Sequence, residues 1–205
     1  MAAAIRGYRM VLVMPEHLSI ERRQTMAAFG AKFVLTAEKG GMELARDTAE
    51  RMRDAGEGVI LDQFSNPDNP LAHYTGTGPE IWRDTRGSVT HFVATMGTTG
   101  TIMGCSRFLK EMNSAIQVVG VHPGPGANVP GIRKWPEEYL PKIFDKARVD
   151  RIIEVSQRES EEMARRLAAE EGIFAGISSG GGLAAAMRLS AETKDAIGRN
   201  AGSIH

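Results

Sequence analysis

Two rhythms of apolar and polar positions alternate along the chain. Short runs of β-branched and apolar residues occupy 10–15, 32–36, 59–61, 89–94, 116–121 and 149–155 and read as strands. Between them, apolar residues three or four apart predict amphipathic helices at 42–55, 79–86, 102–112 and 157–171. Another helix starts at a Ser19 cap and runs to Phe29, with Gly30 as its stop. A small-residue helix at 183–189 closes the series. No hairpin signal joins neighbouring strands, so the pattern predicts an α/β fold with doubly wound, mostly parallel sheets and ligands at the carboxyl ends of the strands.

The breaks in the pattern carry information too. Residues 62–79 are rich in proline and asparagine and predict an irregular loop at a domain junction, and 123–131 predicts a second long loop of glycine and proline. Residues 176–182 read as a glycine-rich turn ahead of the last helix. Residues 1–7 read as the end of a helix stopped by Gly7, with more chain expected upstream. The stretch 191–205 has little apolar periodicity and is expected to fray.

At 205 residues with 42% apolar side chains, the chain can bury a real core in one large domain or two small ones. Its 25 basic and 25 acidic side chains cancel, which gives no electrostatic reason to expect nucleic acid or an anionic membrane as partner. Small molecules are the expected ligands. The single cysteine, Cys105, makes neither an internal disulfide nor a cysteine metal cluster and fits a reducing, cytoplasmic setting. No apolar run approaches the roughly 20 residues needed to cross a bilayer, and the first ten residues lack the order of a secretory signal.

The candidate chemistry centres on Gly97-Thr98-Thr99-Gly100-Thr101, which joins the strand at 89–94 to the helix at 102–112. Glycines let backbone approach a ligand closely, and the free N–H groups of a first helical turn beside threonine hydroxyls suit a phosphate. A glycine turn with nothing bound is the plainer alternative. His73, His91 and His122 lack metal-ligand spacing, and His91 reads as a packed or hydrogen-bonded strand residue. Cys105 and the methionines read as core. A nicotinamide fingerprint is disfavoured, because Gly124-Pro125-Gly126 is followed by Val129 where a third glycine belongs.

The threonine loop, the run Gly172-Ile173-Phe174-Ala175-Gly176-Ile177-Ser178-Ser179-Gly180 and the run Asp62-Gln63-Phe64-Ser65-Asn66-Pro67 together resemble the cysteine synthase family of fold-type II pyridoxal-phosphate enzymes. Pro130-Gly131-Ile132-Arg133-Lys134-Trp135-Pro136 resembles the B-type members in particular. The resemblance runs from about Gly7 to Leu189. It implies pyridoxal 5'-phosphate as cofactor and β-replacement on O-acetyl-L-serine with sulfide or thiosulfate, in a homodimer. Gly97, Thr98, Thr99, Gly100 and Thr101 would hold the cofactor phosphate, and Ser178 the pyridine nitrogen. Gln63, Phe64, Gly131 and Arg133 would face the substrates, Arg133 offering a guanidinium to an anionic sulfur donor. It further implies a remnant of a small N-terminal domain at 1–64, a cofactor-phosphate domain at 65–190 and a divergent tail at 191–205. The family's Schiff-base lysine lies in a segment with no counterpart here, so little or no turnover is expected of this chain alone. A non-catalytic phosphate-binding chain, a serine/threonine dehydratase or a cystathionine β-synthase relative are the alternatives.

Overall fold

The computed structural model describes residues 1–17 and 20–201, and the expected Ser19 cap lies outside the described residues. Contacts divide the chain into two compact units, one of Met1–Leu61 and one from Asp62 onward.

In the first unit a four-residue helix, α1 (Ala2–Ile5), ends before Gly7, whose φ of 72° suits a glycine stop. Strands β1 (Val11–Pro15) and β2 (Lys32–Thr36) pair in parallel, with Val11 opposite Lys32. Helix α2 (Ile20–Ala28) connects them, as a parallel pair requires. Helix α3 (Gly41–Asp54) packs on both strands and buries Ala45. The strand expected at 59–61 is absent. Val59 and Leu61 are exposed, and the sheet of this unit contains β1 and β2 alone among the described residues. β propensity reports fit to a half-buried pleated surface, and these side chains are not on one.

Residues within 62–79, expected to be irregular, are largely helical: α4 (Asp68–Ala72), a π-helical turn (His73–Thr77) and α5 (Gly78–Asp84) follow one another directly. Pro67 stands at the N-cap of α4 and Pro70 in its first turn, where a missing N–H removes no helical hydrogen bond.

Strands β3 (His91–Thr95), β4 (Gln117–Pro123) and β5 (Arg151–Val155) form a parallel sheet in that order, with β4 in the middle. Helices cover both faces. Phe92, Ala94 and Val118 pack against Ile102, Cys105 and Leu109 of α6 (Gly100–Met112) on one side. Val119, Val121, Ile153 and Val155 pack against Ala184, Ala185 and Leu189 of α8 (Ile177–Ala201) on the other. The period-two alternation of β4 therefore feeds two cores, each large buried side chain contributing about 1.5–3 kcal/mol. The doubly wound, parallel expectation holds in this unit.

Helix α7 (Gln157–Glu171) begins with a capping box: Ser156 accepts from the Glu159 N–H, and Glu159 accepts from the Ser156 N–H. Helix α8 starts earlier than expected and passes through Gly180, Gly181 and Gly182, which were expected to form a turn. A Cβ on Gly180 would enter the Ser160 carbonyl oxygen, and one on Gly181 would lie 2.9 Å from Ser160 Oγ. These glycines bring α7 and α8 together. The described part of the stretch from 191 continues α8 to Ala201. Arg151 of β5 holds Glu192 on that stretch through two hydrogen bonds of 2.6 and 3.2 Å.

Two local features generate predictions. Thr99, at the N-cap of α6, has φ 72°, a left-handed conformation that costs a β-branched residue about 1–2 kcal/mol. Its Oγ1 is also buried without a hydrogen-bond partner among the described residues. Thr99→Gly is expected to stabilise the ligand-free chain by about 1 kcal/mol, read as a raised urea midpoint. An unchanged or lowered midpoint contradicts this. The second feature is Asp150, whose Oδ2 accepts from the Val118 N–H and from Lys110 Nζ, each at 2.7 Å. Desolvation pushes the carboxyl up, but the hydrogen bonds from Lys110 and Val118 outweigh it and hold it below the usual carboxylate range. A lowered folded-state value stabilises the fold above the unfolded carboxylate pKa, and that stability is lost as pH falls through the folded value. Asp150→Asn is therefore expected to be less stable than wild type at neutral pH, with the difference shrinking in acid. A gap that stays constant across the acid titration is the contrary result.

Candidate functional site

The site lies where β3 ends. The ladder continues one residue beyond it, with the Met96 N–H on the Val121 carbonyl at 3.1 Å, and the chain then turns through Gly97, Thr98 and Thr99 into α6. The first N–H groups of α6 have no intrahelical acceptor and face the turn. Both loop glycines answer to close neighbours. A Cβ on Gly100 would collide with the Asn69 carboxamide, and one on Gly97 would sit 3.1 Å from the Gly131 carbonyl oxygen.

The segment after β4 closes on the loop. The Arg133 N–H donates to the Met96 carbonyl at 2.8 Å, and Trp135 Nε1 donates to the Gly97 carbonyl at 2.7 Å. Gly131, at φ 91°, needs the conformation that glycine supplies. A Cβ there would touch Ser178 Cβ and Oγ at 3.4 Å, in the first turn of α8. Gly97, Gly131 and Ser178 thus form a contiguous line across the carboxyl edge of the sheet. The Arg133 guanidinium stands 5.2 Å from the Trp135 ring centroid, a cation–π distance.

Phe64 meets Trp135 edge to face at 5.4 Å, and its carbonyl accepts from the Ile143 N–H. The Gln63 carbonyl accepts from Asn69 Nδ2 at 2.7 Å. The turn that presents them starts at Asp62, at φ 37°, whose carboxylate accepts from the Phe64 N–H and the Ser65 hydroxyl. All ten residues singled out in the sequence therefore lie in one unit, and the contacts above join Gly97, Gly131 and Ser178, with Phe64 and Arg133 meeting on Trp135.

Sequence reasoning missed a supporting layer. Asn69 Nδ2 donates to Thr98 Oγ1 at 3.2 Å, and His73 Nε2 lies 3.1 Å from Thr101 Oγ1. Asn69 and His73 are four residues apart, the spacing of one helix face. That signal was hidden because the prolines around it were read as a loop.

Other candidates resolve plainly. Cys105 is fully buried, and burial pushes its thiol up to about 11, which removes it as a thiolate nucleophile at neutral pH. His91 Nδ1 pairs with Thr90 Oγ1 at 2.9 Å. Burial, and then the Lys134 charge, lower the His122 pKa. Among the described residues no group of three or more histidine, cysteine or acidic side chains is placed to hold a metal, and no helix is long and apolar enough to cross a membrane. A surface depression of about 510 Å³ is lined by Arg151, Arg188 and Glu192 and by no residue of the threonine loop.

The chain is 57% identical to cysteine synthase B of Pseudomonas aeruginosa over 197 residues, covering 96% of this chain and 66% of that protein. It is 53% identical to cysteine synthase B of Escherichia coli, of which it covers 65%. It thus spans just under two thirds of these relatives' length. A crystal structure of cysteine synthase from Entamoeba histolytica superposes with a TM-score of 0.81 at 37% identity, over 88% of this chain and 56% of that one. The sequence profile of the pyridoxal-phosphate dependent enzymes matches residues 1–199, and the chain belongs to that family.

Proposed function

We propose that the chain carries the cofactor-phosphate part of a B-type cysteine synthase, which replaces the acetoxy group of O-acetyl-L-serine with sulfide or thiosulfate. The observation that supports this most is the line Gly97, Gly131, Ser178, which brings the threonine loop and a serine hydroxyl to one edge of the same sheet.

The residues present fit pyridoxal phosphate. A phosphate dianion needs several donors and no neighbouring carboxylate, and residues 95–101 contain no acidic side chain. Thr99 supplies a buried hydroxyl with no partner among the described residues, and the glycines leave backbone rather than side chains around the turn. Hydrogen bonds to a charged group contribute roughly 1.5–3 kcal/mol each, against about 0.3–1 kcal/mol from the helix dipole. The converging donors therefore decide the binding.

The cofactor, when bound, supplies the electron sink that lets the α-proton and acetate leave the substrate. This chain's residues bind and aim it. Thr98, Thr101 and the first N–H groups of α6 hold the phosphate. Ser178 offers the ring nitrogen a neutral hydroxyl, which cannot balance a pyridinium as a carboxylate would and so favours β-elimination over transamination. Gln63 and Phe64 face the substrate carboxylate. Gly131 keeps the mouth clear of a side chain, and Arg133, braced on Trp135, meets an anionic sulfur donor. In this reading Met1–Leu61 belongs to a smaller N-terminal domain, and the unit from Asp62 onward, with Gln63 and Phe64, to the cofactor domain of a cytoplasmic homodimer.

A second reading is a chain that binds phosphate or cofactor without turnover. It is favoured by two of the seven lysines being engaged, Lys110 with Asp150 and Lys134 with Glu154, each at 2.7 Å.

Two outcomes are expected. The chain alone binds pyridoxal phosphate in equilibrium dialysis, with inorganic phosphate competing, and Gly100→Ala weakens binding by about tenfold because its methyl displaces Asn69. Borohydride then leaves no lysine modified, and no cysteine forms from O-acetylserine and sulfide. A stoichiometric lysine adduct with cysteine production would instead show a self-sufficient enzyme, and failure to bind would remove the phosphate seat. In a complete enzyme carrying this segment, Arg133→Ala is expected to lower kcat/KM with thiosulfate more than with sulfide, and an equal loss with both donors sinks the Arg133 assignment.

A further inference from the structure

The phosphate reading of the threonine loop has a consequence for two residues outside it. His73 sits at the start of the π-helical turn His73–Thr77, a local widening that recurs at functional sites. Its imidazole bridges two hydroxyls, with Nδ1 2.9 Å from Thr77 Oγ1 and Nε2 3.1 Å from Thr101 Oγ1. The approach depends on α6. Gly104 stands where a Cβ would run into the Pro70 carbonyl and lie 2.7 Å from His73 Cβ, so only glycine lets the turn come this close.

Proton counting then gives the chain of bonds a direction. The oxygens of an ionised phosphate only accept, and a threonine hydroxyl has one hydrogen. If Thr101 gives that hydrogen to phosphate, its oxygen can only accept from His73, so Nε2 must carry the proton. In the neutral ring Nδ1 is then an acceptor, filled by the Thr77 hydroxyl. The same polarity occurs at Thr98, whose oxygen accepts from Asn69 Nδ2 at 3.2 Å and from the Gly100 N–H at 3.4 Å, which leaves its hydrogen free. Two hydroxyls of the loop are thus supplied with donors from behind. A buried Thr99 Oγ1 without a partner in the same loop points independently to an absent ligand.

We propose that His73 is a positioning residue which, with Asn69, fixes the Thr101 and Thr98 hydroxyls as donors to the cofactor phosphate. The proposal rests on the phosphate reading given above. An imidazole flipped to the other tautomer would draw the Thr101 hydrogen toward itself and remove one donor from the seat.

The test uses the whole 205-residue chain, labelled with ¹⁵N, and inorganic phosphate as probe. Long-range ¹H–¹⁵N spectra, with the His73 signals assigned by their loss in His73→Gln, are expected to show Nε2 protonated in the phosphate-saturated chain. In ³¹P titrations His73→Phe is expected to weaken phosphate binding roughly tenfold, the effect of one hydrogen bond to a charged group. His73→Gln, whose amide can still donate toward Thr101, is expected to stay within about threefold of wild type. Thr77→Val leaves the imidazole and Thr101 in place and is expected to admit the second tautomer, which covers the case in which His73→Phe does not fold. A ring protonated only at Nδ1 with phosphate bound, or equal phosphate affinity in all folded variants, overturns the His73 proposal and leaves the seat standing. No phosphate binding by wild type overturns both.

Discussion

Parallel pairing fixes everything that follows. With β3 and β4 in register from His91 opposite Gln117 to Thr95 opposite Val121, both strands end on the same side, and β5 ends there too. Antiparallel strands would send alternate ends to opposite edges. Because both faces of the sheet are covered, the strands cannot slip by one residue without moving Val119 and Val121 into the core that holds Leu109. The backbone on the open edge is therefore held by the packing beneath it. The Met96 and Gly97 carbonyls then receive Arg133 and Trp135, and the third segment of the site is placed by those bonds.

Strain is concentrated on that edge. Thr99 is left-handed and β-branched, and its hydroxyl is buried unpaired, in a chain whose α7 begins with a fully satisfied capping box. A sequence selected for stability alone would place glycine at 99. Retaining threonine makes sense where a ligand repays the strain, the usual relation between outliers and function.

The sequence made the alternation legible, because strands buried on both faces and helices amphipathic at 3.6 residues leave different periods. It also placed the threonine loop correctly between β3 and α6. What it hid were cases in which one residue type serves two ends. Pro67 and Pro70 read as loop formers, yet the first turn of a helix has no use for the N–H that proline lacks. Gly180 and Gly181 read as a turn, yet they thin α8 where α7 crosses it. Only the partner in space distinguishes these uses. The same holds for the run at 59–61, whose composition suits a strand but whose side chains meet no sheet. Asn69 and His73 were lost as a direct result, since a helix face cannot be read in a stretch assigned to loop.

In the proposed reading, the loop lets a neutral chain hold a dianion. From Met96 to Ser106 there is no charged residue, and Lys134 is engaged with Glu154. A lysine at the loop would attract any anion through open solvent, and salt would screen it. Hydroxyl and amide donors act only within hydrogen-bond reach and depend on direction. They recognise a tetrahedral oxyanion by geometry, provided each hydroxyl presents its hydrogen outward. In that reading the loop depends on residues that never touch the ligand, Asn69 in α4 and His73 in the π-helical turn, both of which pack against α6.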